Sequence, residues 1–276
     1  MTTSVERQLL LIIRCTLAVL VSVHGWHRIL DDGVMPFAEY MESRMPLGFY
    51  LVFVLQAMEL FGSVAFAMGW CVSMLGAIFA IIYGGSIYFY HSQFGWIQSG
   101  GVHNGAEYAF ALVVCFLAMS IIAWPNPDVH GRFNLAALFA RQRSETLRWR
   151  ILFWRSMGYL VAFIMIMQVG LQVPAERTDF KLIADLVSSL FVEHLLLISI
   201  VALQILACVL IVVGRFLRAA YFGLAVLFFL KILIYHAQFG WIVSGADKDG
   251  AEYTFLLMVL SSCLFIYHSR KLNTSA

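Results

Sequence analysis

Eight stretches of this chain are apolar for long enough to cross a lipid bilayer, and that limits the fold before any motif is considered. They run Leu9–Trp26, Phe49–Met68, Ser73–Tyr90, Ala106–Trp124, Ile151–Leu171, Leu190–Val213, Phe216–Tyr235 and Tyr253–His268. In hydrocarbon every backbone N–H and C=O must be satisfied inside the segment, so a run of roughly 17–25 apolar residues folds as a helix. The composition agrees: 62% of the 276 residues are hydrophobic and 12% are charged, against about half and a quarter in a soluble domain. The expectation is an all-α integral membrane protein whose principal partner is the lipid bilayer. A net charge of +2 points to no nucleic acid, because the basic residues sit between the runs. Cys15, Cys71, Cys115, Cys208 and Cys263 form no C-x-x-C and mostly lie within apolar runs, so they read as small hydrophobes rather than as a disulfide framework or dithiol centre. The first run is too long for a leader and is followed by His27, Arg28 and acidic residues, so no cleavable signal peptide is expected.

The second constraint is a repeat. Tyr90 to Phe110, YHSQFGWIQSGGVHNGAEYAF, returns 145 residues later as Tyr235 to Phe255, YHAQFGWIVSGADKDGAEYTF. Self-similarity at a fixed offset marks one structural unit used twice. Each copy reads as a helix end, an irregular loop carrying a Trp at headgroup depth, a Ser-Gly turn, and a helix start with an acid in its first turn. Gly95-Trp96 and Gly240-Trp241 are expected to set the loop bend and anchor it at the interface. The chain is therefore divided as residues 1–126, a first four-helix repeat; 127–148, a basic linker; and 149–276, a second four-helix repeat. An even helix number per half makes the repeats parallel, related by an axis along the membrane normal. Within the linker, Phe133 to Ala140 is amphipathic and suited to the membrane surface. The long loops after the first and fifth helices are placed to cover the outer ends of their bundles.

Loop charges give the orientation. Arg7, then Arg132, Arg141, Arg143, Arg148 and Arg150, then Arg215 and Arg218, then Arg270 and Lys271 fall on one side of an eight-span chain. Asp31, Asp32, Glu39, Glu42, Glu176, Asp179, Asp185, Asp247 and Asp249 fall on the other. Positive-inside places both termini in the cytoplasm and both repeated motifs on the outer face of the cytoplasmic membrane.

These features resemble the DoxX family of small four-helix membrane proteins. The resemblance rests on Arg14 early in the first helix (Arg155 in the second half), on His24-Gly25-Trp26 at the end of that helix, and on Glu59 in the second helix. Its most specific element is Gly-x-Glu-Tyr opening the fourth and eighth helices: Gly105, Glu107 and Tyr108, then Gly250, Glu252 and Tyr253. Arg215 and Arg218 at the start of the seventh helix also fit. Two departures stand out: the family is usually one four-helix unit, and Gln204 stands where Glu59 maps. The resemblance implies a membrane subunit of an oxidoreductase system, passing electrons from an outer-face donor to the quinone pool beside a redox or periplasmic partner protein. A non-enzymatic carrier of a small solute, or an assembly and docking protein, is the alternative from another class.

Polar residues inside apolar runs are the candidates for chemistry, because an intramembrane charge is expensive. Glu59 is either a proton acceptor near quinone or an interhelical hydrogen bond, with Arg14 as its candidate partner. Lys231 either snorkels to the outer interface or places a positive charge facing Glu252 or Glu193; Ser86 occupies its place in the first half. His91 and His236 end the third and seventh helices, and with Glu107 and Glu252 they form a set able to shuttle protons. His103, four residues before Glu107, has Lys248 as its counterpart, which argues against a duplicated metal site; no metal is expected. Gln93, Trp96, Tyr108, Gln238, Trp241 and Tyr253 complete the two motifs and are the candidate quinone-binding side chains. No Rossmann glycine pattern, cysteine cluster or C-x-x-C-H is present, so a redox centre would belong to a bound quinone or to a partner.

Overall fold

The computed structural model of the chain describes residues 4–96, 105–124, 146–172, 190–234, 236, 240–241 and 250–273. The described residues are helical, with no strand among them. In chain order the helices are α1 (Ser4–Leu30), α2 (Val34–Glu42), α3 (Gly48–Ala67), α4 (Val72–Phe89), α5 (Glu107–Ala123), α6 (Thr146–Gln172), α7 (Leu190–Val213), α8 (Leu217–Ile234) and α9 (Glu252–Asn273). Among the described residues, five stretches are long and apolar enough to cross a membrane: Ser4–Leu30, Gly48–Ala67, Val72–Phe89, Arg148–Val169 and Leu217–Ile234. Glu107–Ala123 and Ile198–Val213 are shorter apolar helices. Polar residues at both ends of α9 shorten its apolar part. Large apolar side chains stay exposed along the long helices, with Phe61 and Ile81 each at 74%. In water that surface would cost about 25 cal/mol per Å²; against lipid tails it costs nothing, so this is a membrane protein in contact with the bilayer.

Two sequence expectations are corrected here. The first helix does not end at Trp26; it continues to Leu30, with His27 and Arg28 in its last turn, where cations suit the negative end of the helix dipole. The connection after it is not a plain loop, since it contains α2, whose Ala38 is fully buried. The linker segment 133–140, the loop after α6, the Ser-Gly turns, His103, Gln238 and Lys248 lie outside the described residues.

Several backbone features recur at the 145-residue offset. α3 ends with Gly69 at φ +84, Gly69 N bonded to Phe66 O and Trp70 N to Ala65 O. α7 ends with Gly214 at φ +75, Gly214 N bonded to Ile211 O and Arg215 N to Leu210 O. Both are Schellman turns, in which a glycine in the left-handed region satisfies two orphan carbonyls. Cys71 and Phe216 follow, each also left-handed, at φ +47 and +53. In the repeated motif Gly95 and Gly240 adopt φ +83 and +85, conformations that favour glycine. Ala106 N bonds Gly95 O and Glu107 N bonds Trp96 O, as Ala251 N bonds Gly240 O and Glu252 N bonds Trp241 O. Each loop is thus closed by the same two hydrogen bonds.

By contacts the chain forms two compact units, one of residues 1–93 and 109–153, the other of residues 94–108 and 154–276. The first is centred on an aromatic cluster, Phe66, Phe79 and Phe116, with Phe79 stacked on Phe116 at 4.9 Å and Tyr83 stacked on the same ring at 6.1 Å. Gly76 lets α4 approach α5 closely: a Cβ there would lie 2.9 Å from the Phe116 carbonyl. Ser120 Oγ donates to Ser73 O across the same contact at 2.7 Å. At the far end Arg150 grips buried Glu6 through two nitrogens. The second unit packs Trp154 against Tyr267 at 4.5 Å over Met157, Ile164, Leu256 and Leu260.

Candidate functional site

Glu59 is 1% exposed and lies in the first unit, within a π-helical turn, Met58–Gly62, that interrupts α3. A π-turn carries one residue more than the α-helical turn it replaces and frequently occurs at functional sites. Here it is braced by Ser63, whose Oγ donates to Glu59 O at 2.5 Å. Gly25 on α1 makes room for the turn, since a Cβ there would sit 2.9 Å from Glu59 Cβ. The carboxylate meets Arg28 of α1, whose Nη1 donates to Oε2 at 2.5 Å. The same Nη1 donates to Gln56 Oε1 at 3.0 Å, and Gln56 Nε2 donates to Gly25 O at 2.7 Å. Tyr83 of α4 donates to Oε1 at 3.5 Å. The cation at Glu59 is therefore Arg28, not Arg14. Sequence reasoning stopped the helix two residues short of Arg28, whereas one further turn brings it onto the face of His24.

Aromatic rings continue outward from the ion pair. The Arg28 guanidinium lies 5.1 Å from the centre of the Phe37 ring on α2, and Phe37 meets Tyr90 edge-on at 6.3 Å. Tyr90 also meets Tyr40, and Gln93 Nε2 donates to Tyr40 Oη at 2.9 Å. His91 opens a short 3₁₀ turn, His91–Phe94, directly after α4, and packs edge-on against Tyr90. Two expected site residues, His91 and Gln93, are thus linked through side chains to a third, Glu59.

The remaining expected residues fall in the second unit. Glu107 and Glu252 are fully buried at the first turns of α5 and α9, where the helix dipole favours an acid. Tyr108 and Tyr253 lie ring to ring at 5.6 Å. Gln168 of α6 donates to Glu107 Oε1 at 3.4 Å. His236 is buried and shares a 2.9 Å hydrogen bond with Thr254. Trp96 packs against Phe163 and Trp241 against Phe255. Both Gly-x-Glu-Tyr copies therefore build one buried polar cluster inside one unit. Lys231 is half-buried in the last turn of α8; Glu193 is helical, with its side chain outside those described. Among the described residues no group of three His, Cys, Asp or Glu is arranged to hold a metal ion.

Arg28, Gln56, Tyr83 and Gln168 are the residues sequence reasoning missed. Gln56 carried a legible signal: it precedes Glu59 by three residues, so two polar groups share one face of an apolar helix. The site is confined to the first half. At the 145-residue offset Gln56, Glu59 and Tyr83 become Val201, Gln204 and Phe228, and α7 is an uninterrupted α-helix where α3 has its π-turn.

Residues 9–92 match the model of the DoxX family. The matched segment contains all of Arg28, Gln56, Glu59, Tyr83 and His91. No curated protein and no solved structure matches the chain.

Proposed function

Starting from the DoxX match over residues 9–92, we propose that this protein is the membrane subunit of an oxidoreductase system that passes electrons from an outer-face donor to the quinone pool. The observation that carries the reading is Glu59, a fully buried carboxylate in a π-turn, ion-paired to Arg28 and hydrogen-bonded by Tyr83. An ionisable residue inside an apolar helix is by default a candidate functional site. Reduction of a quinone takes up two electrons and two protons within the bilayer, so protons must reach a ligand that water does not reach. Glu59 holds a proton or releases it at Oε1 and Oε2, Arg28 fixes the carboxylate, and the Tyr83 hydroxyl orients it. Phe37, Tyr40 and Tyr90 offer flat apolar surface that suits a quinone ring. Glu107, Glu252 and His236 in the second unit form a further set able to hold protons.

The proposal includes eight crossings arranged as two parallel four-helix repeats, both termini in the cytoplasm, the repeated motifs on the outer face of the cytoplasmic membrane, and a redox or periplasmic partner. The recurrence of Schellman turns and motif clamps at one offset supports the duplication. The same recurrence supports a second reading, a carrier built from two parallel bundles.

The test is mass spectrometry of organic extracts from gently purified protein, with Glu59→Gln and Lys231→Ser compared to the parent. The redox reading expects co-purifying quinone in the parent, and folded variants with impaired quinone-linked turnover. Absence of quinone together with unaltered complementation of a null strain by both variants removes it in favour of the carrier.

A further inference from the structure

Arg28 has five N–H donors, and its hydrogen bonds to Gln56 and Glu59 use Nη1 alone. Nε and Nη2 hydrogen-bond to no described residue, and neither is among the polar atoms sealed from solvent. Their adjacent N–H groups form the side-on edge of the guanidinium, whose spacing matches the two oxygens of a carboxylate. The backbone of Arg28 is fixed by Gly33, whose N donates to Arg28 O at 2.9 Å, and Gly33 lies alongside the stem, since a Cβ built there would be 3.4 Å from Arg28 Cγ. Phe37 faces the guanidinium, Tyr90 and Tyr40 continue the aromatic surface, and Phe37, Tyr40 and Tyr90 are all only half-buried.

We infer that the outer edge of Arg28 is a receptor for a carboxylate with an apolar body, and that Glu59 is its internal competitor, so that binding the anion takes up one proton. Charge decides this. One guanidinium already neutralises one carboxylate, and a second anion beside ionised Glu59 would leave an uncompensated negative charge in a low-dielectric surrounding. When Glu59 takes a proton, Arg28 is released to the incoming carboxylate and the site is neutral again. A dianion such as phosphate would leave one charge over. The groups facing Glu59 are Arg28 from α1, Tyr83 from α4 and Gln56 from its own helix. Those facing Arg28 are Glu59, Phe37 of α2 and, within electrostatic range, His24, which itself lies in range of His27 and His91. His27 is engaged by Asp31 at 3.1 Å. The inference needs no quinone and stands apart from the redox reading.

The experiment is titration calorimetry of the full chain in detergent with benzoate, which stays ionised between about pH 6 and 8. The parent is expected to bind tenfold more tightly for each pH unit lowered, the slope of one linked proton. Glu59→Gln leaves Arg28 charged and is expected to bind benzoate without that slope. The double variant Arg28→Gln/Glu59→Gln removes both charges together, which preserves folding, and is expected to bind at least tenfold more weakly than Glu59→Gln. A second arm presents dodecanoate in zwitterionic nanodiscs at one pH. Saturable binding of benzoate assigns a water-borne acid, and of dodecanoate alone a bilayer-borne one. With the variants tested on whichever acid binds, binding of neither acid, a Glu59→Gln variant that does not bind that acid, a double variant that binds it like Glu59→Gln, or benzoate binding by the parent without pH dependence overturns the inference.

Discussion

Removing Arg28 alone from its pair with Glu59 should be far more damaging than removing both charges. At 2.5 Å and an effective dielectric of about 20, the attraction is ~7 kcal/mol. Desolvating each ion costs several kcal/mol, so the intact pair contributes little net stability. Arg28→Gln leaves Glu59 buried with Tyr83 as its weak partner, and the expected loss is about 3–5 kcal/mol. Glu59→Gln costs less, on the order of 1 kcal/mol for one altered intramembrane hydrogen bond. Gln204 already stands at the matching place in α7, and the partly exposed Arg28 keeps Gln56. The double variant should lie within about 1–2 kcal/mol of the parent, which makes the coupling energy about 3 kcal/mol. At roughly 2–4 °C per kcal/mol for a chain of this size, thermal unfolding in detergent followed by tryptophan fluorescence should place Arg28→Gln about 10 °C below the parent, with the double variant recovering most of that. An Arg28→Gln protein as stable as the parent, or a double variant whose loss equals the sum of the singles, would refute the pairing.

Other perturbations test other parts of the structure. Gly95→Ala and Gly240→Ala should each cost about 1–2 kcal/mol for a left-handed residue, and by similar amounts, because the two loops share φ and clamp; unequal melting shifts would show that the loops differ. Gly76→Leu should destabilise the first unit by about 1–3 kcal/mol by forcing α4 away from α5, read as a lower melting temperature with the second unit's tryptophan signal retained. A reporter fused after Ala276 or inside Arg141–Arg150 should report cytoplasm and one near Asp247 the outside; the reverse pattern overturns the proposed orientation. Replacing all five cysteines with Ala or Ser should leave folding and turnover largely intact, and loss of redox turnover from one replacement would reveal a thiol centre.

The helices were legible because hydrocarbon allows so few alternatives. Each of the eight apolar stretches contains or overlaps a helix. What escaped the sequence depended on pairing between helices. The charge of Arg28 made it look like the start of a loop, yet Gly25 and Glu59 had to meet for Arg28 to have a partner, and no local pattern expresses that meeting. The π-turn was illegible for the same reason. It is a register adjustment that aims Glu59 at α1, and its propensities do not differ from those of the α-helix on either side. Glu107 and Glu252 stood out in the sequence through the repeat and its Gly-x-Glu-Tyr motif, while Gln168 had no repeat to announce it.

The segment 94–108 counts with the second compact unit although it precedes the linker in the chain. Severing the polypeptide between α5 and α6 would therefore not separate two self-sufficient proteins. A fragment beginning at the linker would lack Trp96, Glu107 and Tyr108, and with them half of the polar cluster around Gln168 and Tyr253. The upstream fragment would carry those side chains with nothing to receive them. Co-expressed pieces would have to reassemble by helix–helix association in the bilayer before the polar cluster could form.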